Sequence, residues 1–462
     1  MNPFSRDAIE GSLPERFEVQ VRRLPGQIAL RSDGLEWTYQ ELNRCANRLA
    51  RQFLPPTPAE SLPVPLLIGH GALEIMALLA VLKSGRAYVA LDPLTPLPRL
   101  RQILADVGTD LVLTCRAHAD LAARLAPRVV ELPGAAALQA DARDDENLGV
   151  GIQPGALASL IYTSGSTGTP KGVMRSHRAS MHRCWLFQQT HRADAGVCIS
   201  HLFSVGFVAA EVDVYGALLN GATLCCYPVR ERGIGPLAEW LAAEQITVFH
   251  PPTALFRRFL ESLEQPLHLP KLRALCLAGE PVFRQDVERI HQRLPGCTIV
   301  HRFASSETSL LTQFILPPDE SCPDAIVPVG VPAPDKTISL LNAHGCEVPA
   351  GEIGEIVVES HYLSPGYWRR PELTAEKFIP DQHGLIRYRT GDLGRFTAGR
   401  LYHLGRLDAQ LKIRGYRVEP QEVEAALLGL GALKEAAVFG RPDAAGEMQL
   451  VGVVVPKVPE TW

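Results

Sequence analysis

The feature that most restricts what this chain can fold into is a long alternation, from about residue 65 to 278, of short apolar runs with stretches of helical periodicity. Thr38-Tyr39-Gln40-Glu41 forms a capping box ahead of Leu42, Ala46, Leu49 and Phe53, which predicts a helix over 38–53. Pro65 to Ile68 reads as a strand and Pro55 to Pro65 as a loop. An apolar helix follows, ending at Lys83-Ser84-Gly85, where Gly85 can take the left-handed terminal position, and then a strand at Ala87 to Leu91. That is one βαβ unit. The pattern continues with a helix near 96–106, a strand at 110–114, and a further helix and strand before Pro133. A polar segment at 141–153 separates this run from a second of the same kind, which the stretch at 160–173 opens. The second holds strands at 197–202, 222–227, 246–250 and 273–278 and helices at 209–219, 236–243 and 253–262. Helices between short apolar strands imply parallel pairing, so the expected class is α/β with two doubly wound sheets. From about 324 to 403 the helices fade and β-branched residues such as Ile356-Val357-Val358 stand between Gly and Pro turns, which predicts a small β subdomain.

The chain has 462 residues, 46% of them hydrophobic, enough for about three domain-sized units and more than one core. Its formal charge of −4, with Lys and Arg scattered, offers no basic field for nucleic acid. No apolar leader follows Arg6, Asp7 and Glu10, and the most apolar stretch, 65–82, is interrupted by His70 and Glu74. A soluble cytoplasmic protein with no membrane partner is therefore expected. The ten cysteines include no CxxC pair, which favours free thiols over a disulfide or zinc framework.

Residues 160–173, Leu-Ile-Tyr-Thr-Ser-Gly-Ser-Thr-Gly-Thr-Pro-Lys-Gly-Val, place hydroxyls, glycines and one lysine directly behind an apolar run. Glycine lets backbone N–H groups converge on an anion, and Thr163, Ser164, Ser166 and Thr167 add hydroxyl donors. Lys171 supplies a mobile charge. A Walker loop is excluded, because Thr169 and Pro170 separate Gly168 from Lys171 and Gly172 follows it. A flexible Gly/Ser linker is disfavoured by the strand-like residues before it and by the Pro and Lys within it.

This stretch resembles the phosphate loop of adenylate-forming enzymes, the superfamily of acyl-CoA synthetases, luciferases and nonribosomal-peptide adenylation domains, and further matches recur from residue 37 to 424. The resemblance implies an acyl-CoA synthetase-like fold. A large core would span 1–407, with the β subdomain at about 324–403, and a partial α+β C-terminal lobe would span 408–462. It also implies ATP and Mg²⁺. Thr163, Ser164, Gly165, Ser166, Thr167, Gly168 and Lys171 would hold the phosphates, and Gly279 and Glu280 would contact the nucleotide. Val300 to Thr308 resembles the family's aromatic-Gly-Pro-Thr-Glu element, so Phe303 would stack on adenine, Ser306 would bind phosphate and Glu307 would hold Mg²⁺. Magnesium accepts one or two carboxylates plus phosphate and water, so one Glu suffices. Ala304 and Ser305 depart from the usual Gly-Pro. Tyr388 to Leu393 looks like the ribose element, with Asp392 accepting from the hydroxyls. Gly405 to Gly415 resembles the hinge stretch, with Arg406 near the nucleotide and Asp408 as pivot. Gly351-Glu352-Ile353-Gly354-Glu355 and Ser364-Pro365-Gly366-Tyr367-Trp368 also match family elements and read as structural turns.

Amino-acid-activating members place an Asp after the Phe that precedes the 209–219 helix, and this Asp meets the substrate ammonium. Here Phe207 is followed by Val208. A buried ammonium without a partner costs several kcal/mol, so a free α-amino acid is expected to be a poor substrate. The other pocket positions implied by the resemblance are Ala209, Val212, Phe249, Cys276, Ala278, Arg302, Leu310 and Leu311. Arg302 among apolar residues calls for a partner, either a second anionic or strongly accepting group on the acid or an acidic side chain such as Glu280.

The reaction implied is activation of a small carboxylic acid to acyl-AMP with release of pyrophosphate, then transfer to the phosphopantetheine thiol of a carrier protein. The alternatives are an acyl- or aryl-CoA ligase, with CoA as acceptor, and a non-catalytic nucleotide-binding scaffold. The family's chain normally continues into an Asn-Gly-Lys element, which this sequence does not reach before Trp462. Without that lysine the expectation is binding of ATP and acid with adenylation slowed by about 10²–10³.

Overall fold

A computed structural model describes residues 4–52, 62–140, 146–164, 170–318, 320–408, 410–413, 416–443 and 448–457. Part of the expected 55–65 loop and part of the polar segment at 141–153 lie outside them. The helix behind the Thr38 capping box runs Tyr39–Arg51, and the Thr38 and Glu41 side chains exchange backbone bonds as the motif requires. The helix Ala72–Lys83 is apolar on every side, and Ile75 to Leu82 are at most 1% exposed. Such a helix must be covered all round. It lies in a core that also draws on Val64, Leu66 and Leu113 from one sheet and Leu30, Ile199 and Leu224 from another.

The first of these sheets has six strands, in the order Arg128–Glu131, Leu111–Thr114, Val64–Leu67, Tyr88–Ala90, Leu157–Thr163 and Lys171–Ser176. Its pairs are parallel except the last. The second has nine, in the order Val331–Pro332, Ser309–Leu316, Thr298–Ser305, Ala274–Ala278, Val248–Phe249, Cys198–His201, Thr223–Cys226, Ile28–Ser32 and Leu35–Thr38. Its centre is parallel and its edges antiparallel. A five-stranded antiparallel sheet of Thr337–Leu341, Gly354–Ser360, Phe378–Pro380, Ile386–Thr397 and Arg400–Arg406 forms the β subdomain. Beyond it come the hairpin Leu411–Ile413 with Tyr416–Val418, the helix Pro420–Gly429, and the hairpin Leu433–Pro442 with Met448–Pro456.

The architecture is the expected α/β class, with two differences in assignment. Leu157–Thr163 belongs to the first sheet rather than opening the second, because this apolar strand pairs in parallel with Tyr88–Ala90. The second sheet reaches back to residues 28–38, whose hairpin satisfies the free side of Thr223–Cys226. Among the described residues no helix is long and apolar enough to cross a membrane. All ten cysteines are free.

Candidate functional site

The hairpin Leu157–Thr163/Lys171–Ser176 sets Thr163 directly across from Lys171. Gly165, Ser166, Thr167 and Gly168, at its tip, lie outside the described residues. The second strand of this hairpin is gripped by segment 364–368: Met174 N donates to Gly366 O at 2.9 Å and Trp368 N to Gly172 O at 2.8 Å. Gly366 has φ 132°, and a Cβ there would fall 2.2 Å from the Thr374 side chain, so only glycine fits the turn. The turn delivers Tyr367 to Lys171, whose Nζ donates to the phenol oxygen at 3.3 Å and stands 4.5 Å from the ring centroid.

Strands Thr298–Ser305 and Ser309–Leu316 form a hairpin whose turn carries Glu307, fully buried. Its Oε1 accepts from Arg417 Nη1 at 2.9 Å and from the Tyr367 hydroxyl at 3.2 Å, with Lys171 Nζ at 3.7 Å. Burial alone would raise this carboxyl, but Arg417 and Lys171 outweigh it and hold it at about 2. Glu307 is therefore an anion across the physiological range. Burial lowers Lys171, and Glu307 offsets part of that. Among the described residues, two buried oxygens here have no partner, Glu307 Oε2 and Thr163 Oγ1. An oxygen-only set with one carboxylate fits a hard cation such as Mg²⁺ that completes its shell with phosphate and water.

Asp392 lies on Ile386–Thr397, opposite Arg406 in the next strand. Gly391 before it takes φ 74°. Asp392 Oδ1 accepts from His403 Nε2 at 3.0 Å and faces Arg406 Nη1 at 3.2 Å. Burial pushes this carboxyl up, yet the His403 hydrogen bond and the charges of Lys412 and Arg406 leave it below its ordinary value. Arg406 also clamps Asp408, through Nε at 2.7 Å and Nη2 at 2.8 Å. The Phe303 ring lies 5.0 Å from that of His403 and 5.7 Å from Lys412 Nζ.

These distant segments meet on one cavity of roughly 310 Å³, lined by Thr163, Ser164, Gly279, Phe303, Ser306, Asp392 and Arg406, with Phe207, Val208, Ala209, Val212 and Ala278. Glu307 pairs with Arg417, which also lines it, and with Lys171. Ser164 Oγ donates to Arg417 O at 2.6 Å.

The remaining sequence-derived positions fall elsewhere. Phe249 points away from the cavity into an aromatic cluster with Phe256 and Phe259, and the next residue along the chain, His250, lines the cavity instead. Cys276 lies under the cavity floor with its Sγ 3.6 Å from His191 Nε2. Leu310 packs with Leu186 and Ala333, and Leu311 with the β subdomain. Glu280 turns to Arg257 at 3.5 Å, so it is neither a lining residue nor the partner of Arg302. Arg302 meets His191 behind the wall.

Sequence patterns did not bring forward Arg417, Lys412, Tyr367, His403, Arg183 or His250, all of which touch or line the site. Tyr367 lay in a stretch read as purely structural, and Arg417 falls two residues beyond the hinge stretch. Only the fold shows what they face.

A family profile described as AMP-binding enzyme matches residues 17–368. Gramicidin S synthase 2 of Brevibacillus brevis is 31% identical over 449 residues, which is 96% of this chain and 10% of that protein. Surfactin synthase subunit 1 of Bacillus subtilis (strain 168) is 34% identical over 460 residues, 98% of this chain and 12% of that protein. Tyrocidine synthase 1 of Brevibacillus parabrevis is 34% identical over 441 residues, 94% of this chain and 39% of that protein. The chain thus spans well under half the length of each. Two solved structures superpose with a TM-score of 0.84: NpsA-ThdA, an artificially fused adenylation-PCP di-domain from Klebsiella oxytoca (23% identity, covering 97% of this chain and 89% of that one), and holo-PA1221, an NRPS protein with adenylation and PCP domains (24%, 97% and 77%). At these identities they establish the shared fold.

Proposed function

Because the chain belongs to the AMP-binding enzyme family, and is thereby an adenylate-forming ligase, we propose that it activates a carboxylic acid lacking a free α-ammonium and passes it to a carrier protein. The observation that carries this reading is the convergence of Thr163, Ser164, Phe303, Ser306, Asp392 and Arg406 on one cavity, with Lys171 and Glu307 behind it. In the first half-reaction a carboxylate oxygen of the acid bonds to the α-phosphorus of ATP, the bond from that phosphorus to the bridging oxygen breaks, and pyrophosphate leaves. In the second, a thiol sulfur bonds to the acyl carbon, its proton is lost to solvent, and AMP leaves. No covalent enzyme intermediate is needed, so positioning and charge do the work.

Each side chain has a task that its surroundings suit. Ser164 and Lys171 flank the loop that would hold the phosphates, Asp392 presents a carboxylate to the ribose hydroxyls, and the Phe303 face is available to adenine. Glu307 Oε2 with Thr163 Oγ1 would hold Mg²⁺, which when bound neutralises phosphate charge. We assign Asp408 as a hinge between a core of residues 1–407 and the segment after it. Its clamp to Arg406 is two-pronged, and the segment beyond carries Arg417 onto Glu307, so a swing about Asp408 would exchange Arg417 for other groups at that carboxylate.

Two features support an acid without an α-ammonium. Val208 occupies the position where amino-acid-activating relatives of the family resemblance carry Asp. The carboxylates lining the cavity are also already engaged, Asp92 by Arg230 at 2.7 Å and Asp392 by His403 and Arg406. The acceptor is supported by NpsA-ThdA and PA1221, which both join an adenylation domain to a PCP domain. The test is ATP–pyrophosphate exchange over free amino acids, N-acylated amino acids, hydroxy, keto and aryl acids, and fatty acids. Exchange is expected with acids lacking the ammonium, and Val208→Asp is expected to shift use toward free amino acids. Exchange restricted to ordinary free α-amino acids contradicts the proposal.

A further inference from the structure

The floor of the acid cavity holds more positive charge than the protein itself balances. Arg183, on the helix His177–His191, is 7% exposed and lines the cavity. Among the described residues no hydrogen bond or ion pair reaches it, and its Nη1 is buried without a partner. Burial and the charges of Arg302 and Arg175 lower Arg183 to about 9. Arg302 stands behind it, 3% exposed, opposite Ala278, the wall residue in the neighbouring strand. Its Nη2 meets His191 Nε2, while Nε and Nη1 have no partner among the described residues. His191 brings no compensating charge, since an imidazole nitrogen that accepts from a guanidinium is neutral.

The surrounding groups do not supply the missing anion. Burial pushes the thiols of Cys184 and Cys276 up, so they stay protonated. Glu211 lies 3.5 Å from Arg175 and also accepts from Tyr88 and Ser159. Asp335 is taken by His182 and Arg6, and Asp213 by His250 at 2.6 Å. Lys336 supplies no anion either: its Nζ is buried and, among the described residues, unpartnered, and burial, Arg175 and Arg183 lower it to about 7. Two buried guanidinia with unused donors and no carboxylate of their own are a receptor for an anion from outside, because guanidinium forks pair with carboxylates in a planar two-bond geometry.

We propose that Arg183, backed by Arg302, binds a second anionic group on the acid substrate, most simply a second carboxylate, so that this ligase activates one end of a dicarboxylic acid. The proposal rests on the ligase reading above and narrows its substrate class. It also explains why an α-ammonium is unwelcome, since the same two cations repel it.

The experiment compares glutaric, adipic and suberic acids with their monomethyl esters and with the monocarboxylic acids of equal length. ATP–pyrophosphate exchange is the first readout. The melting-temperature shift that each acid causes with ATP present is the second, and it does not depend on turnover. At least one diacid is expected to exceed its own monoester by about tenfold or more in kcat/KM, because an unpaired buried cation penalises the esterified end. Arg183→Met is expected to erase that preference, costing the diacid about tenfold or more while leaving the monoester as good or better. If Arg183→Met does not fold by circular dichroism, the wild-type diacid-to-monoester ratio decides alone. Equal use of diacids and monoesters, or exchange with monocarboxylic acids only, overturns the inference and leaves the ligase reading standing. Absence of exchange and of acyl-AMP with every acid overturns that reading, and the inference with it.

Discussion

Glu307→Gln keeps the shape of the buried side chain and removes its charge, and the structure sets the size of the effect. The Glu307 carboxyl sits at about 2 against an ordinary 4.5, so its folded environment favours the ionised form by roughly 3 kcal/mol. The folded value is depressed. This stability is therefore fully present above about pH 4.5 and is lost as the pH falls toward 2. The substitution also leaves Arg417 Nη1, 2.9 Å from Oε1, and Lys171 Nζ, 3.7 Å away, facing an uncharged amide. A loss of about 2–4 kcal/mol at neutral pH is expected, read by calorimetry as a lower Tm. The gap between the two proteins should be level from about pH 8 to about pH 5 and begin to close only below that. In the same samples, exchange should fall by about 10²–10³ and need more Mg²⁺. A variant as stable as the wild type at neutral pH, or a gap already closing above about pH 5, would refute the claim that Arg417 and Lys171 hold this carboxylate.

Asp392→Asn deletes an acceptor for the ribose hydroxyls, and is expected to raise KM for ATP by about 10-fold and KM for 2′-deoxy-ATP, which keeps only the 3′-hydroxyl, by less; steady-state exchange with both nucleotides checks it. Arg417→Met frees Glu307 Oε1 from its competing cation, so the Mg²⁺ concentration for half-maximal ATP binding should drop by about tenfold in a calorimetric titration. An unchanged Mg²⁺ requirement would show that the arginine and the ion do not compete for the charge of that carboxylate.

The sheet-forming alternation was legible because Val, Ile and Leu runs such as Leu111–Thr114 are buried along their whole length and sit between helices, the one before it ending at Gly108 in the left-handed conformation. Assignment of Leu157–Thr163 to the wrong sheet has a physical reason: local pattern specifies that a strand is buried, while its neighbour is chosen by packing across the core. The residues proposed to hold the nucleotide stood out because glycine, hydroxyls and one lysine or carboxylate occur together at turns. The acid pocket was only half legible. Val208 and Ala278 line it, but Phe249, Cys276 and Arg302 are strand residues whose side chains are claimed by the core and by His191. Arg183 gives no signal of its own, since one arginine on a helix usually faces water, and only the fold buries it.

On the proposed reading one nucleotide is held jointly by Thr163, Lys171, Glu307 and Asp392. A crystal structure of the chain with Mg²⁺ and a non-hydrolysable ATP analogue tests it most directly. Phosphates are expected between Ser164 and Lys171, the metal on Glu307 Oε2, and the ribose on Asp392 beside Phe303. A nucleotide bound with its phosphates away from Lys171 and Glu307, or one that leaves Asp392 in its contact with His403 and Arg406 alone, contradicts it.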